Sequence, residues 1–166
     1  MPDQETLERA REDKREGKAP STQAGEFVRE EIEHIREGKH GARSTKQAIA
    51  IGLSKARRAG VTLAAPKKGR APESTRKQAQ RDLKRGRSSA AKKVSAKRSR
   101  AVRAALKREG RSAVSPKALA KQARSSAKRH TAKERSAAAK KAVRTKGPAK
   151  RSAAAQRAAR TRAKRG

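Results

Sequence analysis

The chain has 166 residues, of which 49 are Lys or Arg and 15 are Asp or Glu, and its formal net charge at pH 7 is +34. Cys, Trp and Tyr are absent, which excludes disulfides and thiolate metal sites. Only 17 residues are Leu, Ile, Val or Phe. These are too few to order the whole chain, because each ordered residue loses about 1–2 kcal/mol of backbone entropy.

The amino-terminal segment, residues 1–20, is predicted to be a charged helix followed by a linker. Glu and Arg recur at helical spacing over about 3–16, Gly17 is a stop signal and Pro20 breaks the chain. No apolar run here resembles a signal peptide, and no stretch approaches the length of a membrane span. We therefore expect a cytoplasmic protein.

Residues 21–63 are predicted to form a helical hairpin, because they hold most of the residues able to form a core. Nine of the 17 large apolar side chains fall between Phe27 and Leu63. The first helix carries an apolar stripe at helical spacing, formed by Phe27, Val28, Ile32 and Ile35. Two helices bury little surface, so the hairpin is a candidate for self-association.

The second helix of the hairpin has its own start and stop signals. Ser44 and Gln47 fit a capping box, with Ser44 as the N-cap. Gly60 is a good C-terminal residue, after which Val61 and Leu63 can fold back onto the helix pair.

Residues 64–166 hold almost all of the net charge, +32. Pro66, Gly69 and Pro72 mark a linker, beyond which low-complexity blocks of Ala, Lys, Arg and Ser alternate with Gly and Pro. The helix-prone blocks are 73–85, 96–109, 116–129, 132–146 and 149–164. Isolated helices of this length are marginal in water, and like charges weaken them further. We therefore expect a mainly α protein with a basic tail that is disordered or intermittently helical.

A tail of this charge density is suited to binding nucleic acid through phosphates. A DNA duplex carries one negative charge per about 1.7 Å of axis, and basic side chains gain free energy by releasing its counterions. Base reading needs Arg, Asn or Gln on a rigid element, and the chain has no Asn. The representative DNA-contacting residues are Lys92, Lys93, Lys97, Arg98, Arg100, Lys140, Lys141, Arg144, Arg157, Arg160 and Arg162.

A second candidate contact is the loop Gly38-Lys39-His40-Gly41, which joins the two hairpin helices. G-x-x-G loops bring the backbone close to phosphates in KH modules, so Lys39, His40 and Arg43 form a candidate phosphate loop. The strands of a KH domain are missing from the pattern. The alternative is a plain interhelix turn in which both glycines adopt positive φ.

No metal site, cofactor or catalytic site is predicted. His34 and His40 stand six residues apart near several acids, but no H-x-x-x-H or similar ligand pair appears. Adjacent carboxylates such as Glu30 and Glu31 are expected on a solvated helix face. No nucleophile–base constellation is present, so an enzyme is not expected.

Two stretches of the hairpin segment carry a resemblance to a known family. They are Ala-Pro-Ser-Thr-Gln-Ala-Gly-Glu-Phe-Val-Arg-Glu-Glu at 19–31, and Glu-Gly-Lys-His-Gly-Ala-Arg-Ser-Thr-Lys-Gln-Ala-Ile-Ala-Ile-Gly-Leu-Ser-Lys-Ala-Arg-Arg-Ala-Gly at 37–60. Residues 19–63 thereby resemble a family of small bacterial proteins catalogued as a domain of unknown function. The resemblance implies a short helical module joined to a Lys/Ala-rich tail, in proteins described as hypothetical or DNA-binding, and it implies no site residues. Separately, the tail is similar in composition to linker-histone C-terminal domains and bacterial histone-like proteins.

The sequence therefore predicts a non-enzymatic, largely sequence-nonspecific DNA-binding protein, histone-like and associated with the bacterial nucleoid. An RNA- or ribosome-associated basic protein is the alternative, and a protein-binding adaptor that uses the 21–63 hairpin is another. Membrane binding is not expected, because the tail has Ala where an interfacial helix needs Leu, Phe or Trp.

Overall fold

The computed structural model describes residues 2–88 and 95–163, and these are mainly helical, without a strand among them. A 3₁₀ turn, Ser112–Val114, precedes the sixth α-helix. The α-helices of the described chain are α1 Gln4–Arg15, α2 Pro20–Arg36, α3 Thr45–Arg58, α4 Glu73–Arg87, α5 Ala96–Arg108, α6 Pro116–Lys128 and α7 Ala132–Ala163. The chain divides into two units, Met1–Ala123 and Arg124–Gly166. In the part that the structure describes, every helix is too short or too polar to cross a bilayer.

The hairpin helices begin and end at the expected signals. At the start of α3, the Gln47 backbone N–H donates a 3.2 Å hydrogen bond to Ser44 Oγ. The Gln47 side chain reaches back one residue further than in a standard capping box, and its Oε1 accepts from the Arg43 N–H at 2.8 Å. Gly38 and Gly60 follow α2 and α3 with φ of 81° and 93°, which is the left-handed conformation of helix stops.

The sequence predicts a tail that is disordered or intermittently helical, and disorder is wrong for its described residues, which are largely helical. Helices α4 to α6 coincide with helix-prone blocks to within about two residues at each end, and α7 spans the last two blocks, because Ala, Lys and Arg have high helix propensity. A full capping box starts α7, where Glu134 Oε2 accepts from the Thr131 N–H at 2.8 Å and Thr131 Oγ1 accepts from the Glu134 N–H at 3.2 Å. The backbone leaves helical conformation at Gly147 (φ 68°, ψ 169°), which kinks α7 next to Pro148.

Apolar residues of α1 and the hairpin meet in one buried cluster. Phe27 lies in this cluster, and Val61 folds back into it as the sequence predicts. The other members are Ala10, Ala24 and Ala56, with Leu7, Leu53 and Leu63 packed against them.

The first part of the basic tail packs onto the hairpin. Val114, only 2% exposed, belongs to a second buried cluster with Ile35, Ala42, Ala48 and Ala113, and Ile32 packs against it. Helix α4 lies along α3 and buries Asp82, whose Oδ2 accepts a 2.6 Å hydrogen bond from the Ser54 hydroxyl. The unit that contains the hairpin thus extends to Ala123, whereas composition alone changes near Ala64.

Two glycines allow helices to approach closely. A Cβ at Gly52 of α3 would lie 2.7 Å from the Val28 Cα of α2. A Cβ at Gly86 would lie 2.0 Å from the Arg57 carbonyl oxygen. Gly86 therefore lies in the last turn of α4, at a backbone contact with the end of α3.

Candidate functional site

The predicted DNA-contacting side chains are solvent-exposed wherever the structure describes them. Lys92 and Lys93 lie outside the described residues. Neither α5 nor α7 buries any residue. The exposed members of the predicted set are Lys97, Arg98 and Arg100 on α5 and Lys140, Lys141, Arg144, Arg157, Arg160 and Arg162 on α7.

Helix α7 presents positive charge on every side. It contains 11 Lys and Arg residues and one acid, Glu134. At 3.6 residues per turn, Lys140 and Arg144 share one face, while Arg135 and Lys146 lie on the opposite face. Such a helix can contact phosphates from any direction, but it has no single face on which base-reading side chains are collected.

Two of the three predicted side chains of the candidate phosphate loop are exposed, and the third turns inward. Lys39 is exposed and its ammonium lies 3.0 Å from Glu37 Oε2. This hydrogen-bonded pair raises the pKa of Lys39 above its usual value. Arg43 is also exposed. His40 instead turns inward, with its Nε2 3.4 Å from Glu31 Oε1.

The backbone of the loop forms hydrogen bonds with residues around the end of α5. The Gly41 N–H donates to the Leu106 carbonyl at 2.9 Å, and the Ala42 N–H donates to the Gly110 carbonyl at 3.1 Å. A Cβ at Gly41 would lie 1.8 Å from the Glu109 carbonyl oxygen. The expectation of positive φ is confirmed for Gly38 and wrong for Gly41. Glycine is needed at position 41 because the Glu109 backbone approaches too closely for a Cβ.

A buried cluster of charged residues lies beside this loop, where the sequence suggested a solvated helix face. Glu30 is 2% exposed and Glu31 is 0% exposed, so that expectation is wrong. The Lys55 ammonium of α3 lies 3.0 Å from Glu30 Oε1 and 2.7 Å from Glu31 Oε2. Burial by itself lowers the pKa of Lys55, but its contacts with Glu31 and Glu30 outweigh burial and hold the pKa above its usual value.

Both histidines of the hairpin border these carboxylates. The rings of His34 and His40 lie edge to face, with centroids 6.4 Å apart. His34 Nε2 is 3.0 Å from Asp3 Oδ2, and this hydrogen bond lowers the pKa of Asp3. The sequence did not reveal this grouping, because the turn after α2 brings His40 back against the helix that carries His34. The Glu31-x-x-His34 spacing could have indicated part of this grouping, since positions three apart share a helix face.

Comparisons of this chain with protein-family models, with curated proteins and with solved structures found no match. The inference of function therefore rests on the charge and geometry described above.

Proposed function

We propose that this protein is a non-enzymatic DNA-binding protein of the nucleoid that neutralises duplex phosphates with its basic helices, largely without regard to base sequence. The observation that carries the proposal is the composition and exposure of helix α7. It has 11 bases against one acid and buries none of its residues, so all of its cations face solvent.

The helical form of α7 supports this function. Basic side chains held on a helix lose less conformational freedom on binding than those of a disordered arm, so less of the interaction energy is spent on ordering. Counterion release supplies the favourable free energy, and it requires only proximity to phosphates. Because the cations surround the helix, contact with phosphates does not depend on how α7 is rotated about its own axis.

The composition of α7 argues against sequence reading and against a membrane surface. The chain has no Asn, and α7 contains one Gln, so the side chains that form bidentate contacts with adenine are nearly missing. The Arg residues that can pair with guanine are not collected on one face, since Arg135 and Arg144 lie on opposite sides of the helix. Val143 is the one large apolar residue of α7, whereas an interfacial helix needs an apolar face.

The test is a salt titration of binding between the full chain and a fluorescein-labelled duplex. If about six phosphates are contacted, log K should fall with log salt at a slope near −5 over about 50–200 mM salt. A variant with six α7 substitutions should reduce the magnitude of the slope by about 3 and weaken binding by at least about tenfold. The substitutions are Lys140→Gln, Lys141→Gln, Arg144→Gln, Arg157→Gln, Arg160→Gln and Arg162→Gln.

The matched control removes the same six charges from exposed positions of α1 to α4, so that its net charge is identical. It should bind DNA within about threefold of the natural chain, because net charge alone acts only through screened, long-range attraction. A flat salt response, or equal weakening in both variants, would overturn the proposal. Tighter binding to structured RNA at equal phosphate concentration would favour the RNA-associated alternative. The control substitutions are Arg11→Gln, Lys14→Gln, Arg15→Gln, Arg36→Gln, Lys46→Gln and Lys77→Gln.

A further inference from the structure

Three side chains beside the α2–α3 loop converge on one point. Glu31, His34 and His40 each offer a potential ligand atom, and these atoms all lie within 4.8 Å of one another. Glu31 and His34 come from one face of α2, with the Glu-x-x-His spacing that recurs in carboxylate metal sites of helical bundles. His40 comes from the loop, which Gly38 turns back at a φ of 81°.

The hydrogen bonds of the two imidazoles leave a lone pair on one ring nitrogen of each when the rings are neutral. His40 Nδ1 lies 3.1 Å from the Gly41 carbonyl oxygen, which can only accept, so Nδ1 carries the proton. The lone pair of neutral His40 is then on Nε2. His34 Nε2–H donates to Asp3 Oδ2 at 3.0 Å, which leaves the lone pair of neutral His34 on Nδ1, 3.9 Å from Glu30 Oε1. Metal-binding histidines characteristically donate their second N–H to a carboxylate or a backbone carbonyl in this way.

The carboxylate of Glu31 lacks the hydrogen bonds that its burial calls for. The side chain is fully buried, and neither oxygen has a hydrogen-bond partner. Oε2 has a close charged contact, an ion pair with Lys55, whose Nζ lies 2.7 Å away. The other oxygen, Oε1, faces the free Nε2 of His40 at 3.4 Å. When His40 is neutral, its Nε2 lone pair and this carboxylate oxygen repel each other at that distance, and either a proton on Nε2 or a metal cation between the two atoms relieves the repulsion.

Charge and spacing are both suited to a divalent cation. Asp3, Glu30 and Glu31 carry three negative charges against one positive charge on Lys55, so the cluster has a net charge of −2 when both imidazoles are neutral. With ligand bonds of about 2.1 Å, tetrahedral coordination places ligand atoms about 3.4 Å apart. The His40 Nε2 to Glu31 Oε1 distance is already 3.4 Å.

We propose that Glu31, His34 and His40 bind a divalent first-row transition metal, of which Zn²⁺ is the reference ion. Asp3 and the Gly41 carbonyl hold the two imidazoles in orientation. Two nitrogen ligands and one oxygen ligand favour zinc, cobalt or nickel over Mg²⁺ and Ca²⁺, which prefer oxygen-only sites. A bound ion would join α2 to the loop that follows it, and this role is independent of the DNA contacts of α7.

The test is Zn²⁺ binding to the full chain, measured by competition with a chromophoric chelator, together with the visible spectrum of the Co²⁺ form. The chain has no Cys, Trp or Tyr, so thiolate binding and protein absorbance do not interfere. We expect one ion per chain and Co²⁺ bands typical of nitrogen and oxygen ligands. His34→Gln and His40→Gln should each weaken Zn²⁺ binding by at least about tenfold.

The matched control is His130→Gln, because the chain has three histidines and His130 is 53% exposed in the other unit. This control should bind Zn²⁺ like the natural chain. Zn²⁺ should also raise the melting temperature of the natural chain and of His130→Gln, but not that of His40→Gln, because an ion that binds only the folded state stabilises it. Equal weakening by His130→Gln, Mg²⁺ binding as tight as Zn²⁺ binding, or a featureless Co²⁺ spectrum of the natural chain would each overturn the proposal.

Discussion

At Gly52, the absence of a side chain sets the distance between the two hairpin helices. A Cβ there would lie 2.7 Å from Val28 Cα and 2.9 Å from the Phe27 carbonyl oxygen, and neither backbone atom can move without moving α2. The apolar stripe of α2 indicated which face is buried, but the close approach could not be predicted, since it depends on the crossing point of two helices.

The substitution Gly52→Ala should therefore destabilise the protein. Overpacking costs about 1–3 kcal/mol, which exceeds the roughly 1 kcal/mol that Ala gains over Gly in a helix. Gly25→Ala in α2 is the matched control, because a Cβ there meets nothing within 4 Å, and it should leave stability unchanged or raise it. Urea unfolding followed by far-ultraviolet circular dichroism measures both. A Gly52→Ala variant as stable as Gly25→Ala would show that the helices do not approach this closely.

The buried acidic cluster shows a second limit of sequence reasoning about single residues. Glu30 and Glu31 have the composition of a solvated helix surface. They are both buried because Lys55 approaches from α3 and His40 approaches from the loop. Neither partner is close to them in sequence.

At the scale of elements, the helices themselves were largely predictable. Capping boxes at Ser44 and Thr131 and the stops at Gly38 and Gly60 act within about four residues, so local sequence specifies them. Gly86 has a role that local signals do not show. It is the last residue but one of α4, and its backbone packs against Arg57.

The 3₁₀ turn after α5 packs against the hairpin, although it lies in the Ala/Lys/Arg/Ser-rich tail. Its Val114 is 2% exposed, in contact with the cluster that contains Ile35. Val114→Ala should lower the free energy of unfolding by about 2 kcal/mol, because a buried valine contributes about 1.5–3 kcal/mol. Val102→Ala on α5 is the control, since Val102 is 53% exposed and its truncation should have little effect. Equal stability of the two variants in urea would mean that the turn does not dock on the hairpin.

At the scale of the whole molecule, the folded unit is larger than the segment rich in apolar residues. Residues 1–63 contain most of the two buried clusters, but Val114 and Ala113 complete the second cluster and α4 covers α3. A fragment of residues 1–123 should therefore be more stable than a fragment of residues 1–63 by about 3 kcal/mol or more. Chemical denaturation of the two fragments gives the difference. Equal denaturation midpoints would show that the hairpin is the complete folding unit.

The sequence by itself determined the helical class, the approximate helix limits and the concentration of positive charge after residue 63. These properties follow from composition and from signals that act within one helical turn. Only the tertiary structure decided that tail residues complete the hairpin core, and that Glu31, His34 and His40 meet. Such contacts link residues far apart in the chain, as in the 2.6 Å hydrogen bond from Thr45 Oγ1 to the Ala113 carbonyl, 68 positions away. Small residues such as Ala and Gly leave no strong pattern in a sequence, so their close packing appears only once the helices are in place.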